Sequence, residues 1–298
     1  MPSVIPSTLQ DEDFPELFRV ADATSLNGQR LYLLGTRIRL SFAVLAATLA
    51  VFSFQVGDKW DVAGLGVALA FLATLLVEIW LLVSRPERDW YDGRAFAESI
   101  KTLAWRYSVA AAPFPNSEPS SVADQHFAAE IGKLVTEAPS DSIVVVSPVH
   151  ITNKMSGLRR AALETRREAY LKGRIEDQLR WYSGKSRFNV RMARRWRVAL
   201  IAIEGLGIVL AILKAGQTIS IDAPGIAAAV LGAGSAWFAV RQYESLGRAY
   251  AFAANDLSTV YARLQHITDE NIWAQEVADA EEAISREHTM WRASRGAS

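Results

Sequence analysis

Two apolar hairpins recur in this chain with the same flanks, and no other feature narrows its fold so far. Residues 40–56 and 62–83 make the first pair of apolar segments, and Gly93-Arg94-Ala95-Phe96-Ala97 follows it. Residues 198–213 and 223–240 make the second, followed by Gly247-Arg248-Ala249-Tyr250-Ala251. The pentapeptides stand 154 positions apart, and Arg37-Ile38-Arg39-Leu40 is echoed 158 positions on by Arg195-Trp196-Arg197-Val198. The shared order, spacing and flanks describe a parallel internal duplication of a helix, two spans and a helix.

A membrane-crossing helix needs about 20 mostly apolar residues to cover ~30 Å of hydrocarbon. Residues 62–83 meet that length with one charge, Glu78, and the other three segments are slightly short of it. Short spans are tolerated where neighbours pack against them or the bilayer thins. A soluble buried hairpin is the alternative for any one segment, but four in paired register, flanked by arginines, favour the membrane. The expected fold is therefore an all-α integral membrane protein. Its four transmembrane helices form two hairpins in tandem, with spans at about 40–56, 62–83, 198–214 and 222–240, beside a helical cytoplasmic domain.

Charge sets the orientation. Arg30, Arg37 and Arg39 precede span one, and Arg85, Arg88 and Arg94 follow span two. Arg191, Arg194, Arg195 and Arg197 precede span three, and Arg241 and Arg248 follow span four. The two tight connections hold only Lys59 and Lys214, beside Asp58, Asp61 and Asp222. By the positive-inside rule, both termini and every long segment belong in the cytoplasm, with Trp60 and Trp80 at the interfaces. No cleavable signal peptide is visible in the polar, acidic start.

The chain totals 32 basic and 32 acidic side chains, but they are unevenly spread. Residues 154–197 carry 14 Lys or Arg against four acids, a local net of +10. Cysteine is absent, which excludes thiol chemistry and disulfides and suits a reducing compartment. The four histidines lie far apart, no Gly-rich phosphate loop or Gly-x-Ser-x-Gly occurs, and neither an enzyme nor a metal or cofactor site is expected.

Outside the spans the pattern is helical. Apolar positions from Phe14 to Ile38 lead into span one, and Trp90, Phe96, Ile100, Leu103, Ala104 and Tyr107 share one helical face after span two. Pro113 and Pro115 end that helix, and residues 113–121 read as the linker between the copies. Residues 123–137 should be a short helix, and 142–147 is the one strand-like run. A basic helix is expected from Gly157 into span three, with Gly173 and Gly184 as its weak points. Thr268-Asp269 caps a final helix. The organisation is then a first unit over 1–115, a linker with a short helix over 116–156, a second unit over 157–266 and a helical tail over 267–298.

Trp90-Tyr91-Asp92-Gly93-Arg94-Ala95-Phe96-Ala97-Glu98-Ser99, then Trp105-Arg106-Tyr107 and Pro113-Phe114, resemble the signature after the hairpin of one SLATT domain class. Tyr170, Arg174-Ile175-Glu176-Asp177-Gln178, Trp181-Tyr182, Lys185 and Asn189 resemble the signature before the hairpin of another. SLATT domains are two-transmembrane effector modules found beside nucleotide-generating or nucleotide-sensing proteins in bacterial defence. The resemblance implies a pore-forming or membrane-disrupting effector, triggered by a nucleotide or oligonucleotide during phage infection. It also implies a neighbouring nucleotidyltransferase as the ligand's source. Trp90, Arg94, Glu98, Trp105 and Arg248 would be structural members of the family motifs.

Two sets of residues carry candidate function. Glu78 and Glu204, the acids inside the spans, lie at matching depth, roughly 7–9 Å from the inner end. They would form a carboxylate ring at the mouth of an oligomeric pore, a tetramer being the working expectation, or pair with Arg37, Arg39, Arg195 or Arg197. The second set is Arg166, Arg167, Lys172, Arg174, Arg180, Trp181, Tyr182, Lys185 and Arg187. These cations and aromatics suit phosphate contacts and base stacking. Anionic lipid near the membrane and pairing along a solvated helix face explain the same residues without a ligand. A non-conducting scaffold that recruits a cytoplasmic partner is the competing function.

Overall fold

The computed structural model describes residues 8–53, 55–56, 60–137 and 150–293, with the side chains of Val56, Trp60 and 285–293 left aside. The strand-like run at 142–147 falls outside the described residues, as does an assignment for the Trp60 side chain. The chain divides into two compact units.

The first, the membrane unit, comprises 30–86 and 185–248. It takes the second half of α1 (Glu16–Leu49), all of α2 (Val62–Ser84), most of α7 (Glu176–Ala215), all of α8 (Ala223–Arg241) and the start of α9 (Tyr243–Leu264). Among the described residues, four helices are long and apolar enough to cross a membrane. α2 and α8 begin and end within a residue of expected spans two and four, and α7 ends within a residue of the expected end of span three. Span one ends early: α1 stops at Leu49, and beyond it β1 (Gln55–Val56) pairs antiparallel with β2 (Trp60–Asp61). The turn begins early because Asp61 caps α2, its carboxylate accepting from the Ala63 amide at 3.0 Å, and Ser53 donates to the same carboxylate. The length available to span one lies before it instead, where α1 is continuous from Glu16.

Each hairpin leaves the membrane through one residue in the left-handed region, Arg85 (φ 43°) after α2 and Gln242 (φ 47°) after α8. A helix succeeds each at once: α3 (Pro86–Ser108) and α9. The repeated pentapeptide then explains itself. A Cβ on Gly93 would lie 2.9 Å from the Ser25 amide nitrogen and 3.0 Å from the Ala21 carbonyl of α1. A Cβ on Gly247 would lie 3.1 Å from Val190 and 3.5 Å from its amide nitrogen on α7. In each copy the glycine admits the helix before the hairpin against the helix after it. A serine of the earlier helix seals each crossing, Ser25 donating to the Trp90 carbonyl and Ser186 to the Gly247 carbonyl, both at 2.9 Å.

The second unit holds residues 8–29, 87–184 and 249–293 of the described chain. Here α3 packs with α4 (Ser120–Thr136), α5 (Asn153–Arg159), α6 (Leu163–Tyr170), α9 and α10 (Glu270–Ala293) around one core. Phe14, Trp105, Phe114 and Phe127 come from the first copy, and Tyr170, Val277 and Trp273 from the second. The rings meet edge to face, Trp105 on Tyr170 at 5.7 Å and Tyr170 on Trp273 at 5.9 Å between centroids, an arrangement that aromatic quadrupoles favour. Asp269 caps α10, accepting from the Asn271 and Ile272 amides at 2.9 Å.

Two expectations change in this unit. Residues 113–121 are largely exposed but anchored: Phe114 is fully buried, and Asn116 donates to Glu270. Buried carbonyls need donors, and arginines supply them. Arg159 donates to the Tyr107, Phe114 and Pro115 carbonyls, and Arg166 to that of Val109. The basic helix begins at Leu163 rather than Gly157, after a break at Arg160–Ala162 that separates it from α5. Gly184 leaves it unbroken, while Leu171–Ile175 forms a single π turn between α6 and α7.

Candidate functional site

The π turn places the chemistry. A π turn widens the helix by one residue and shifts the register of every later position. Its middle residue, Gly173, lies where a Cβ would come within 2.7 Å of Thr8 and 3.1 Å of the Trp105 ring. The next residue, Arg174, points inward and is 1% exposed. Its Nε and Nη2 reach the two carboxylate oxygens of Glu281 at 3.0 and 2.9 Å. Tyr170 donates to Glu281 at 3.0 Å and Thr102 at 2.9 Å, and Glu98 lies 3.8 Å from Arg174. Burial works against the Arg174 charge, but the Glu281 carboxylate, by charge and hydrogen bonds, and Glu98 outweigh it and raise the guanidinium further. Burial, then the Glu281 charge, pushes the Tyr170 phenol well up. Arg174 therefore stays charged and Tyr170 neutral over the physiological range.

Glu98 carries this network to the surface. It pairs with Arg94 at 2.8 Å, and Arg94 lies 3.8 Å from Asp22 of α1. There a cleft of about 430 Å³ opens, lined among others by Asp11, Asp22, Arg94, Lys101, Lys172 and Trp181. Arg94, Glu98, Lys101 and Trp105 occupy one face of α3 at i, i+4, i+7 and i+11. Across from them the π turn and α7 present Lys172, Asp177, Gln178, Arg180 and Trp181. The Arg94 guanidinium lies over the Trp181 ring, 5.9 Å from its centroid, and the Lys101 ammonium over Phe14 and Phe18.

Every cation here already has a carboxylate. Lys101 pairs with Asp11 at 3.0 Å, Lys172 with Glu168 at 2.6 Å and Arg180 with Asp177 at 3.6 Å. The hydrogen bond from Lys172 to Glu168 raises the ammonium pKa. Burial raises the Asp22 carboxyl, against the pull of Arg94. An anion entering the cleft would exchange for these acids rather than meet bare cations.

The residues named from sequence now separate. Lys172, Arg180 and Trp181 line the cleft. Arg166 and Arg174 do not, being fully buried and held by internal acceptors, Arg166 by Ala161, Val109 and Glu270. Binding a ligand there would strip a buried cation of its partners. Arg167 donates to the Ile267 carbonyl, and Tyr182 is buried against Tyr250. Lys185 and Arg187 belong to the membrane unit. Trp90 stacks on Tyr91, and Arg248 is exposed. Arg94, Glu98 and Trp105, expected as structural members of the family motifs, also line the cleft with Lys101, which the sequence pattern alone did not single out. The α3 heptad spacing was the available signal.

The two span acids differ as well. Glu78 forms an ion pair with Arg39 of span one. Glu204 is exposed on span three, and among the described residues no side chain pairs with it. Arg197, two turns away, is engaged by Glu244.

Residues 15–167 match the family described as SMODS and SLOG-associating 2TM effector domain 3, and residues 170–291 match SMODS and SLOG-associating 2TM effector domain 1. No curated protein and no solved structure matches the chain.

Proposed function

The chain belongs to the SLATT family, as two different effector domains of that family in tandem, and from that premise we propose that it is an ion-conducting membrane effector of a bacterial anti-phage system. In this reading a nucleotide or oligonucleotide, made by a neighbouring nucleotidyltransferase, binds the cleft and switches conduction in a homo-oligomer of the bacterial inner membrane. No catalytic step is part of the proposal.

The observation that carries it is the continuity of α7. One helix runs from Glu176 to Ala215, with Asp177, Arg180 and Trp181 on the cleft and 198–215 as span three. A phosphate displacing Asp177 from Arg180 and Glu168 from Lys172 changes the contacts that fix the inner end of that helix. Tilt or rotation of the rod then reaches the span. Trp181, beside those cations, supplies a ring for a base to stack on.

The test is potassium flux from liposomes holding the full chain, with cyclic di- and trinucleotides as probes. We expect one probe to change the flux, and Lys172→Ala with Arg180→Ala to weaken that response several-fold at higher salt as well as low. Absence of flux under every probe, with the protein inserted and monodisperse, would sink the channel and favour the scaffold.

A further inference from the structure

Glu204 and Glu78 lie at similar depths in their spans, yet the structure treats them differently. Glu78 is neutralised within the subunit by Arg39. Lys214 at the end of span three pairs with Asp222, and Arg197 at its start pairs with Glu244. Glu204 has no side-chain partner among the described residues and is exposed. A carboxylate at this depth, roughly 9 Å beyond the start of the apolar segment, does not face lipid at equilibrium without cost, and such groups face protein or a water-filled path.

The surface around it is largely uncovered within the subunit. Span three meets span four through Leu200 against Gly234 and Gly207 against Ala227. On the rest of its circumference it is bare: none of its most apolar window is buried, and Ile201 and Ile208 are 65% and 63% exposed. Gly205, about 100° round the helix from Glu204, faces open space, since a Cβ there would meet nothing within 4 Å. A span with a glycine pointing outward beside a carboxylate lets another backbone come close while the carboxylate stays wet.

We infer that Glu204, and not Glu78, is the carboxylate of the ion path, and that a second copy of this chain covers the Ile201–Gly205 face of span three, bringing the Glu204 side chains of several copies around one axis. The inference rests on the channel reading and assigns its selectivity. Each Glu204 then has water and a permeating cation in place of lipid, while the Arg39–Glu78 pair holds the first hairpin together. Span three, continuous with the cleft, becomes the pore-lining helix.

The absence of cysteine makes the contact testable. Ile201→Cys and Gly205→Cys lie on the inferred contact face, and Leu206→Cys lies about 160° from Glu204. Oxidation in membranes should give covalent dimers from the first two and not from the third. Dimers from Leu206→Cys alone, or from none of the three, would overturn the contact. In liposomes, Glu204→Gln should lower the preference for potassium over chloride several-fold, Glu204→Asp should keep it, and Glu78→Gln combined with Arg39→Gln should leave it unchanged. Conduction with unaltered preference in Glu204→Gln would refute the assignment while leaving the channel standing. Cross-linking through Gly205→Cys in a protein that conducts under no condition would refute the channel while leaving the contact standing.

Discussion

A fully buried ion pair lies at the centre of this protein's larger helical unit, and its energetics decide how the individual arginines should be read. Arg174 and Glu281 are each 1% exposed or less. Desolvating such a pair is costly, and hydrogen bonds from Tyr170 and Thr102 and the nearby Glu98 carboxylate offset part of that cost. Removing one partner strands the other. Arg174→Met should therefore destabilise by about 3–5 kcal/mol, while Arg174→Met with Glu281→Leu should recover most of that loss, since an apolar pair of similar volume is often neutral. Denaturation of the detergent-solubilised full chain reads both. A double variant as unstable as Arg174→Met would show that the charges themselves hold the fold. Ligand readouts do not enter this test, because the pair touches no solvent.

At the scale of elements, the hairpin echo was legible in the sequence and its reason was not. Apolar length and flanking arginines gave the bounds of α2 and α8 and the end of α7 to within a residue or two, because in lipid every backbone group must be paired within a helix. Span one was misplaced at its outer end because apolar residues past Leu49 look the same whether they extend a helix or turn early onto an Asp cap. The basic stretch misled for a different reason. Periodicity marks a face of a helix but not which face is inside. Arg166 and Arg174 alternate with solvated cations, and the intervening π turn shifts the register so that both face inward. Lys101 was missed because it sits among residues that read as a packing face. The pentapeptide glycines, by contrast, acquire a physical purpose as helix crossings. Gly93→Ala sets a Cβ against two backbone atoms of α1 and should cost about 1–3 kcal/mol. Gly247→Ala meets the movable Val190 methyl first and should cost less. Thermal unfolding of the two single variants compares them directly. Equal losses would mean that the crossings yield alike, and that backbone proximity is not what selects glycine there.

For the whole molecule, the duplication and the shared core together constrain the topology. One core draws Phe14 and Trp105 from the first copy and Tyr170 and Trp273 from the second. A parallel duplication predicts this, with the helices around both hairpins on one side of the membrane. An inverted duplication would leave half of these aromatic residues on each side and no core at all. The arginines lie on that side in both copies, before spans one and three and after spans two and four, so the charge bias and the packing agree. By the positive-inside rule the side they select is expected to be the cytoplasm. Single cysteines report on this, in a chain that has none of its own. Ser53→Cys and Ser220→Cys, in the two short connections, should react with a membrane-impermeant maleimide in intact spheroplasts. Ser121→Cys and Ser258→Cys, exposed on the helical unit, should react only after the membrane is opened. Labelling of Ser220→Cys together with Ser121→Cys in intact spheroplasts would break the parallel arrangement. Labelling of Ser121→Cys and Ser258→Cys without Ser53→Cys and Ser220→Cys would invert the molecule, putting the Lys172–Trp181 cleft outside the cell and beyond reach of any cytoplasmic nucleotide.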